Sequence, residues 1–257
     1  MQIQKLNAAR GWTWVKQGYQ LIMRNPLMSV TFALICALFM FTAIRMPVLG
    51  PLLAVLLIPV VMAGYMRVCR ALEEEEAVEL ALLFEGFRKH TAQLAVLGGF
   101  LMLGMLLASM AMVMVGGDAL RTLLENVNSA NDPQMLMDAM TSAGSDVAFS
   151  LMVGFFLVCV LMLAFQYAPM LVFFNDVKPV DAMRASLSGS LRNLIPYTVY
   201  NVILQVIAVA LSMLPYNIGL IVLLPLGLTS LYVSYRNIFP FAHELAATDP
   251  VPNNQEV

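Results

Sequence analysis

Asn201 and Gln205 stand four residues apart inside Leu194–Tyr235, a run with no Asp, Glu, Lys, Arg or His. Four residues is about one helical turn, so the two carboxamides share a face. Gln166 is a third amide, in an earlier apolar run. Amides at such depth either bond between helices, as glue in a bundle, or line a polar site between them. Glue is the commoner use. Both readings make Asn201 and Gln205 face protein, with Gln166 as neighbour, because an unpaired amide in hydrocarbon costs several kcal/mol. A second chemistry is cationic. Arg10, Lys16, Arg24, Arg88, Lys89, Arg184 and Arg192 lie in amphipathic stretches beside the apolar runs. Such segments bind anionic headgroups, each Lys or Arg contributing about 1 kcal/mol near an anionic surface.

Catalytic chemistry has no candidates. No H-E-x-x-H, P-loop or G-x-S-x-G occurs. The apolar runs hold no ionisable Asp, Glu, Lys, Arg or His, which usually mark proton and ion pathways. The 20 Met residues could suggest Cu(I), yet Met also fills apolar cores. Cys36, Cys69 and Cys159 are far apart and read as small buried hydrophobes. No metal, cofactor or catalytic residue is expected. Glu73–Glu76 points around a helix rather than at one spot, and reads as a solvated face. His90 and His243 adjoin helix ends.

These residues need helices to hold them. Leu194–Tyr235 is too long for one crossing, since a bilayer core takes about 20 apolar residues per helix. Leu214-Pro215-Tyr216-Asn217 breaks it into a hairpin. Two further hairpins precede it. The fold class is all-α and polytopic, with six transmembrane helices near residues 27–44, 48–65, 94–115, 150–174, 194–214 and 218–235. Residues 1–245 form the membrane domain, and 246–257 read as a disordered cytoplasmic tail. The composition agrees. The chain is 60% hydrophobic and 12% charged, with a mean hydropathy of +0.80. Soluble domains have about 45–50% apolar and about 25% charged residues. The net charge of −2 predicts no nucleic-acid partner.

Between the spans lie amphipathic segments. In Leu6–Asn25, Trp12, Val15, Tyr19 and Ile22 recur at helical spacing above a basic face, which reads as a helix lying in the interface. Leu80, Leu83, Phe84 and Phe87 give a second, and Val180, Met183, Leu187 and Leu191 a third. Gly104, Ala108 and Ala111 form a small-residue stripe in the third span, as Ala164 and Ala168 do in the fourth. Gly116–Phe149 reads as two short helices, the later one starting at Asp132-Pro133. The N-terminal stretch lacks a signal-peptide pattern, so Met1 is expected to remain. Of the 14 Lys and Arg, only Arg45 and Arg121 fall outside the loops on one side of the six spans. The positive-inside rule then places both termini in the cytoplasm and Gly116–Phe149 outside.

The hairpins read as three parallel repeats. Gly18, Arg24-Asn25 and Pro26 parallel Gly189, Arg192-Asn193 and Pro196, and Gly86-Phe87-Arg88 begins the middle copy. Gly11-Trp12-x-Trp14, Gly50-Pro51-Leu52-Leu53 and Phe173-Phe174-Asn175-Asp176 resemble a family of uncharacterised proteobacterial inner-membrane proteins. The chain is also similar in plan to the membrane domain attached to some glycerophosphodiester phosphodiesterases. The resemblance spans Arg10 to about Phe241. It implies a bacterial inner-membrane location and brings no catalytic residues. The expected function is non-enzymatic: a scaffold, assembly or envelope-homeostasis factor with lipid-binding interfacial helices. A carrier or permease for a lipid or other apolar solute, with a path kinked at Pro59, Pro169 and Pro225, is the alternative. Expected partners are membrane lipids and either another membrane protein or the chain itself.

Overall fold

The computed structural model describes residues 3–47, 49–129, 134, 144–213 and 219–241. All regular structure among them is helical. In chain order the elements are α1 (Arg10–Arg24), α2 (Pro26–Arg45), α3 (Gly50–Glu73), a 3-10 helix (Leu80–Phe87) and α4 (Thr91–Ser129). Then come α5 (Ser145–Phe165), α6 (Ala168–Asn175), α7 (Pro179–Arg192), α8 (Leu194–Ser212) and α9 (Gly219–Ile238). Five stretches are long and apolar enough to cross a membrane: α2, α3, Thr91–Leu123 in α4, Ser145–Asn175, and α8. α9 stands where the sixth span is expected; it has 20 residues, with Pro225 inside.

Local chemistry sets several boundaries. The Asn25 side chain accepts the Met28 N–H at 3.3 Å, and Pro26 takes the first turn of α2, where a missing N–H costs nothing. α3 is longer than expected, running to Glu73 rather than ending near residue 65. Leu80–Phe87 forms a 3-10 helix. Its one fully buried large side chain is Leu83, while Leu80 and Phe84 are exposed. Gly116–Phe149 begins differently from two short helices. α4 continues to Ser129 through a kink at Gly117, whose φ of 50° and ψ of −140° are open to glycine. The helix start at Asp132-Pro133 and the 246–257 tail lie outside the described residues.

α3 is the centre of the bundle. It touches α1, α2, the 3-10 helix, α4, α6 and α9. Of its most apolar window 56% is buried, against 17% for α2 and 11% for α8. α4 lies along α5, where Gly104 abuts Leu161 and Ala108 is buried, as the small-residue stripe predicts. Ala164 and Ala168 are buried as well. The outer surface carries Leu106, Leu107, Phe155 and Phe156, all exposed, as suits a chain solvated by hydrocarbon.

Pro169 breaks the fourth span into α5 and α6. The break frees the Leu163 carbonyl, which is part-buried, and the Tyr167 N–H, which is buried. Ser186 of α7 takes both: its Oγ donates to Leu163 O at 2.8 Å and accepts the Tyr167 N–H at 3.0 Å. Ser190 adds a second donor to Leu163 O at 3.2 Å. A broken membrane helix is tolerated when side chains re-satisfy its backbone in this way. Ser186→Ala should therefore lower stability by about 1–3 kcal/mol, the cost of orphaning a buried polar group. Thermal unfolding in detergent, beside Ser188→Ala as control, measures it.

Orientation has a direct test. In a chain with its three cysteines replaced by Ala, Ser145→Cys should react with an impermeant thiol reagent added outside the cell. Glu75→Cys, whose site is well exposed in the fold, should react only after permeabilisation. The reverse pattern would invert the topology.

Candidate functional site

α1 divides into three faces, and this determines the site. Gly11, Trp14, Val15, Gly18, Leu21 and Ile22 are buried. They pack on α8 and α9: Gly11 lies against Pro196 and Tyr200, Gly18 against Ser230, and the Trp14 ring meets Tyr200 edge-on. A second face, Trp12, Lys16, Tyr19 and Met23, is exposed. The expected apolar face of Trp12, Val15, Tyr19 and Ile22 is therefore split. Val15 and Ile22 enter the protein core, whereas Trp12 and Tyr19 stay outside, because the two glycines let α1 settle on its small-residue side. The third face, Arg10, Gln17, Gln20 and Arg24, borders a cleft.

That cleft, about 470 Å³, lies between α1, the end of α9 and the end of α3. Arg236, Asn237, Tyr232 and Glu73 complete its polar wall, with Leu6, Leu21 and Val233 between them. Three Arg and one Glu leave the lining with a charge of +2 (3 − 1). Arg24 Nη1 donates to the carbonyls of Leu72 and Glu73, each at 2.8 Å, and lies 3.7 Å from the Glu75 carboxylate. Tyr232 donates its hydroxyl to Glu73 Oε2 at 2.6 Å, and Arg236 Nε sits 3.6 Å from the same oxygen. Buried Asn193 holds the N-terminal segment of the wall. It accepts the Leu6 N–H at 2.8 Å and donates to the carbonyls of Gln4 at 2.8 Å and Gly189 at 3.0 Å.

Glu74, Glu75 and Glu76 are exposed, as a solvated face is, and each carboxylate of Glu73–Glu76 also has a partner. Glu73 meets Tyr232 and Arg236, Glu74 pairs with Arg70 at 2.9 Å, Glu75 faces Arg24, and Glu76 pairs with Arg67 at 2.8 Å. The helix ends at Glu73, and Glu75 adopts a φ of 57°, so successive carboxylates fan out to different partners. His90 Nε2 lies 2.5 Å from Asp176, tying the start of α4 to the end of α6.

The expected cations fall into separate places. Arg10 and Arg24 meet in the cleft; Lys16 is on the other exposed face of α1. Arg184 and Arg192 border a second, open groove of about 440 Å³ on α7, with Leu187, Ser188 and Leu191. Lys89 sits over the Phe173 ring, 5.6 Å from its centre, and Arg88 is exposed beside it. Sequence reasoning missed Glu73, Tyr232, Arg236 and Asn237 as one site with Arg24. The signal present was the grouping of polar residues at the ends of α3 and α9.

The amides do not meet. Gln166 sits at the α5–α6 break, and its buried Nε2 has no hydrogen-bond partner. Asn201 and Gln205 are both exposed, against the expectation that they face protein and Gln166. Asn201 donates to the Tyr197 carbonyl of its own helix at 2.8 Å, which lowers the cost of facing outward. Buried polar contacts within the bundle include instead those of Ser186 and Ser190, the Tyr167–Ser234 hydroxyl pair at 3.1 Å, and the Tyr65 hydroxyl on the Ser29 carbonyl at 3.3 Å. Among the described residues no three His, Cys, Asp or Glu converge, and the three cysteines are free.

Helices with apolar outer faces and a charged cleft at one end define the chain as an all-α polytopic membrane protein. It is similar to a protein of Burkholderia thailandensis named a probable inner membrane protein, 29% identical over 259 residues, covering 93% of this chain and 94% of that one. No family model matches the sequence. No solved structure matches it either. The Burkholderia match bears on the inner-membrane part of the expected kinship. It does not bear on the likeness to the membrane domain of phosphodiesterases.

Proposed function

We propose that this is a non-enzymatic protein of the bacterial inner membrane, with both termini cytoplasmic, that holds an anionic phospholipid headgroup and serves as a scaffold or assembly factor there. The observation that carries the reading is the cleft of Arg10, Arg24 and Arg236 around Glu73, with a net lining charge of +2. Arginine forks suit phosphate oxygens, and Gln17, Gln20 and Asn237 can bond headgroup hydroxyls and esters. The exposed Trp12 and Tyr19 beside it are the residue types that settle at headgroup level. The Arg184/Arg192 groove offers a second, more apolar contact.

The test is native mass spectrometry of the full chain from mild detergent, with phosphatidylglycerol as the probe. The double variant Arg10→Gln/Arg24→Gln should retain phosphatidylglycerol at least about tenfold less well, at about 1 kcal/mol per lost cation. Lys16→Gln, outside the cleft, should lose much less. Added inorganic phosphate should not displace the lipid; displacement would point to a free anion. Equal retention by wild type and the double variant, both with native melting, would overturn the reading.

A further inference from the structure

The outward face of α8 carries a repeat that a lipid-facing helix does not need. Thr198, Val202, Gln205, Val209 and Ser212 are all exposed. Their spacing is 4, 3, 4, 3, the 3.5-residue period of a seam between two helices. The side chains on this seam are small, β-branched or amide. The lipid faces of α4 and α5, by contrast, carry Leu106, Leu107, Phe155 and Phe156. α8 also has the least buried window of the five spans, at 11%.

The seam's polar groups differ in what they leave open. Thr198 and Ser212 donate to carbonyls of their own helix, at 2.9 and 2.8 Å. Gln205, near the middle of the helix, bonds to no protein group among the described residues. A carboxamide has both donor and acceptor. In hydrocarbon it needs a partner with the same two functions at the same depth. A twin amide meets both needs, and a two-fold axis along the membrane normal brings it there. Two copies inserted the same way have parallel α8 helices, so like positions meet.

We propose that the chain forms a two-fold dimer through α8, with Gln205 amides paired at its centre. The left-handed crossing of about 20° that goes with a 3.5-residue seam brings Val202 and Val209 of one copy against the same residues of the other. The uncharged face suits an identical partner, since like positions meet without repulsion. This goes beyond the headgroup reading and does not depend on the cleft.

Cross-linking in membranes tests it, in the full chain with its three cysteines replaced by Ala. Val202→Cys, Gln205→Cys and Val209→Cys should each give a disulfide-linked dimer under mild oxidation. Leu106→Cys and Phe155→Cys, exposed on other helices, should not. With its cysteines intact, Gln205→Leu should keep wild-type melting but weaken dimerisation by about tenfold, counting two interhelical bonds of average strength. Equal cross-linking at the seam and at Leu106 or Phe155 would overturn the proposal. So would a monomeric wild type in native mass spectrometry, or a seam cysteine joined to a different protein.

Discussion

Gly64→Val and Gly86→Val should each leave little folded protein, while Gly99→Val should be recovered at the wild-type level. Gly64 of α3 and Gly86 of the 3-10 helix interlock. A Cβ on Gly64 would stand 2.0 Å from the Leu83 carbonyl oxygen, and one on Gly86 2.2 Å from that of Val60. Both obstacles are backbone, and no rotamer change relieves them. Overpacking usually costs about 1–3 kcal/mol where side chains can shift, so the cost here should exceed about 3 kcal/mol. Gly99 has nothing within 4 Å of the same added atom, although it too lies in a helix. Fluorescence-detected size exclusion of the three variants checks the contrast. A native profile for Gly86→Val would show that the 3-10 helix does not dock on α3 as described. Gly86 sits four residues before His90 and five before α4, so its loss would also release the turn that His90 ties to Asp176.

The long elements were legible because apolar length is a coarse signal. Six runs long enough to span were visible, and Asn25-Pro26 marked the start of α2 to the residue. Faces were harder. On α1 both Trp12–Tyr19 and Trp14–Leu21 have a seven-residue spacing, so period alone cannot say which aromatic is buried. Gly11 and Gly18 decide it, and a glycine adds almost nothing to an apolar pattern. The amides were misplaced for another reason. The cost of an unpaired amide is real, but Asn201 reduces it with the Tyr197 carbonyl four residues back, so its helix does not have to turn inward. The cleft was hidden by sequence distance. Glu73 and Tyr232 are separated by 159 positions, and in sequence they read as part of a charged run and one aromatic in a span. The cations were readable as a class, yet nothing in their spacing groups Arg24 with Arg236 and leaves Lys16 aside.

Glu73→Gln should strengthen phosphatidylglycerol binding, the opposite of what removing an arginine does. Glu73 is the one acidic group in the cleft lining, so the change raises the lining charge from +2 to +3. It also removes the negative charge 3.6 Å from Arg236, which then leaves more of that arginine's field for a phosphate oxygen. A net gain of one unit of positive charge beside an anionic headgroup is worth about 1 kcal/mol, roughly a fivefold tightening. The fold should survive, since a glutamine oxygen can still accept the Tyr232 hydroxyl. What is lost is the charge assistance in that bond, about 1 kcal/mol. The variant should thus melt slightly lower without lipid and gain more on adding phosphatidylglycerol, because ligand bound to the folded state stabilises it by mass action. Phosphatidylethanolamine, with no net charge, should show no such gain. Titration of purified wild type and Glu73→Gln with each lipid, read by melting temperature and native mass spectrometry, separates the outcomes. If Glu73→Gln binds phosphatidylglycerol more weakly than wild type and melts as wild type does, the carboxylate itself contacts the ligand. The cleft would then be built for a cationic or zwitterionic group, and the anionic-headgroup reading would fall.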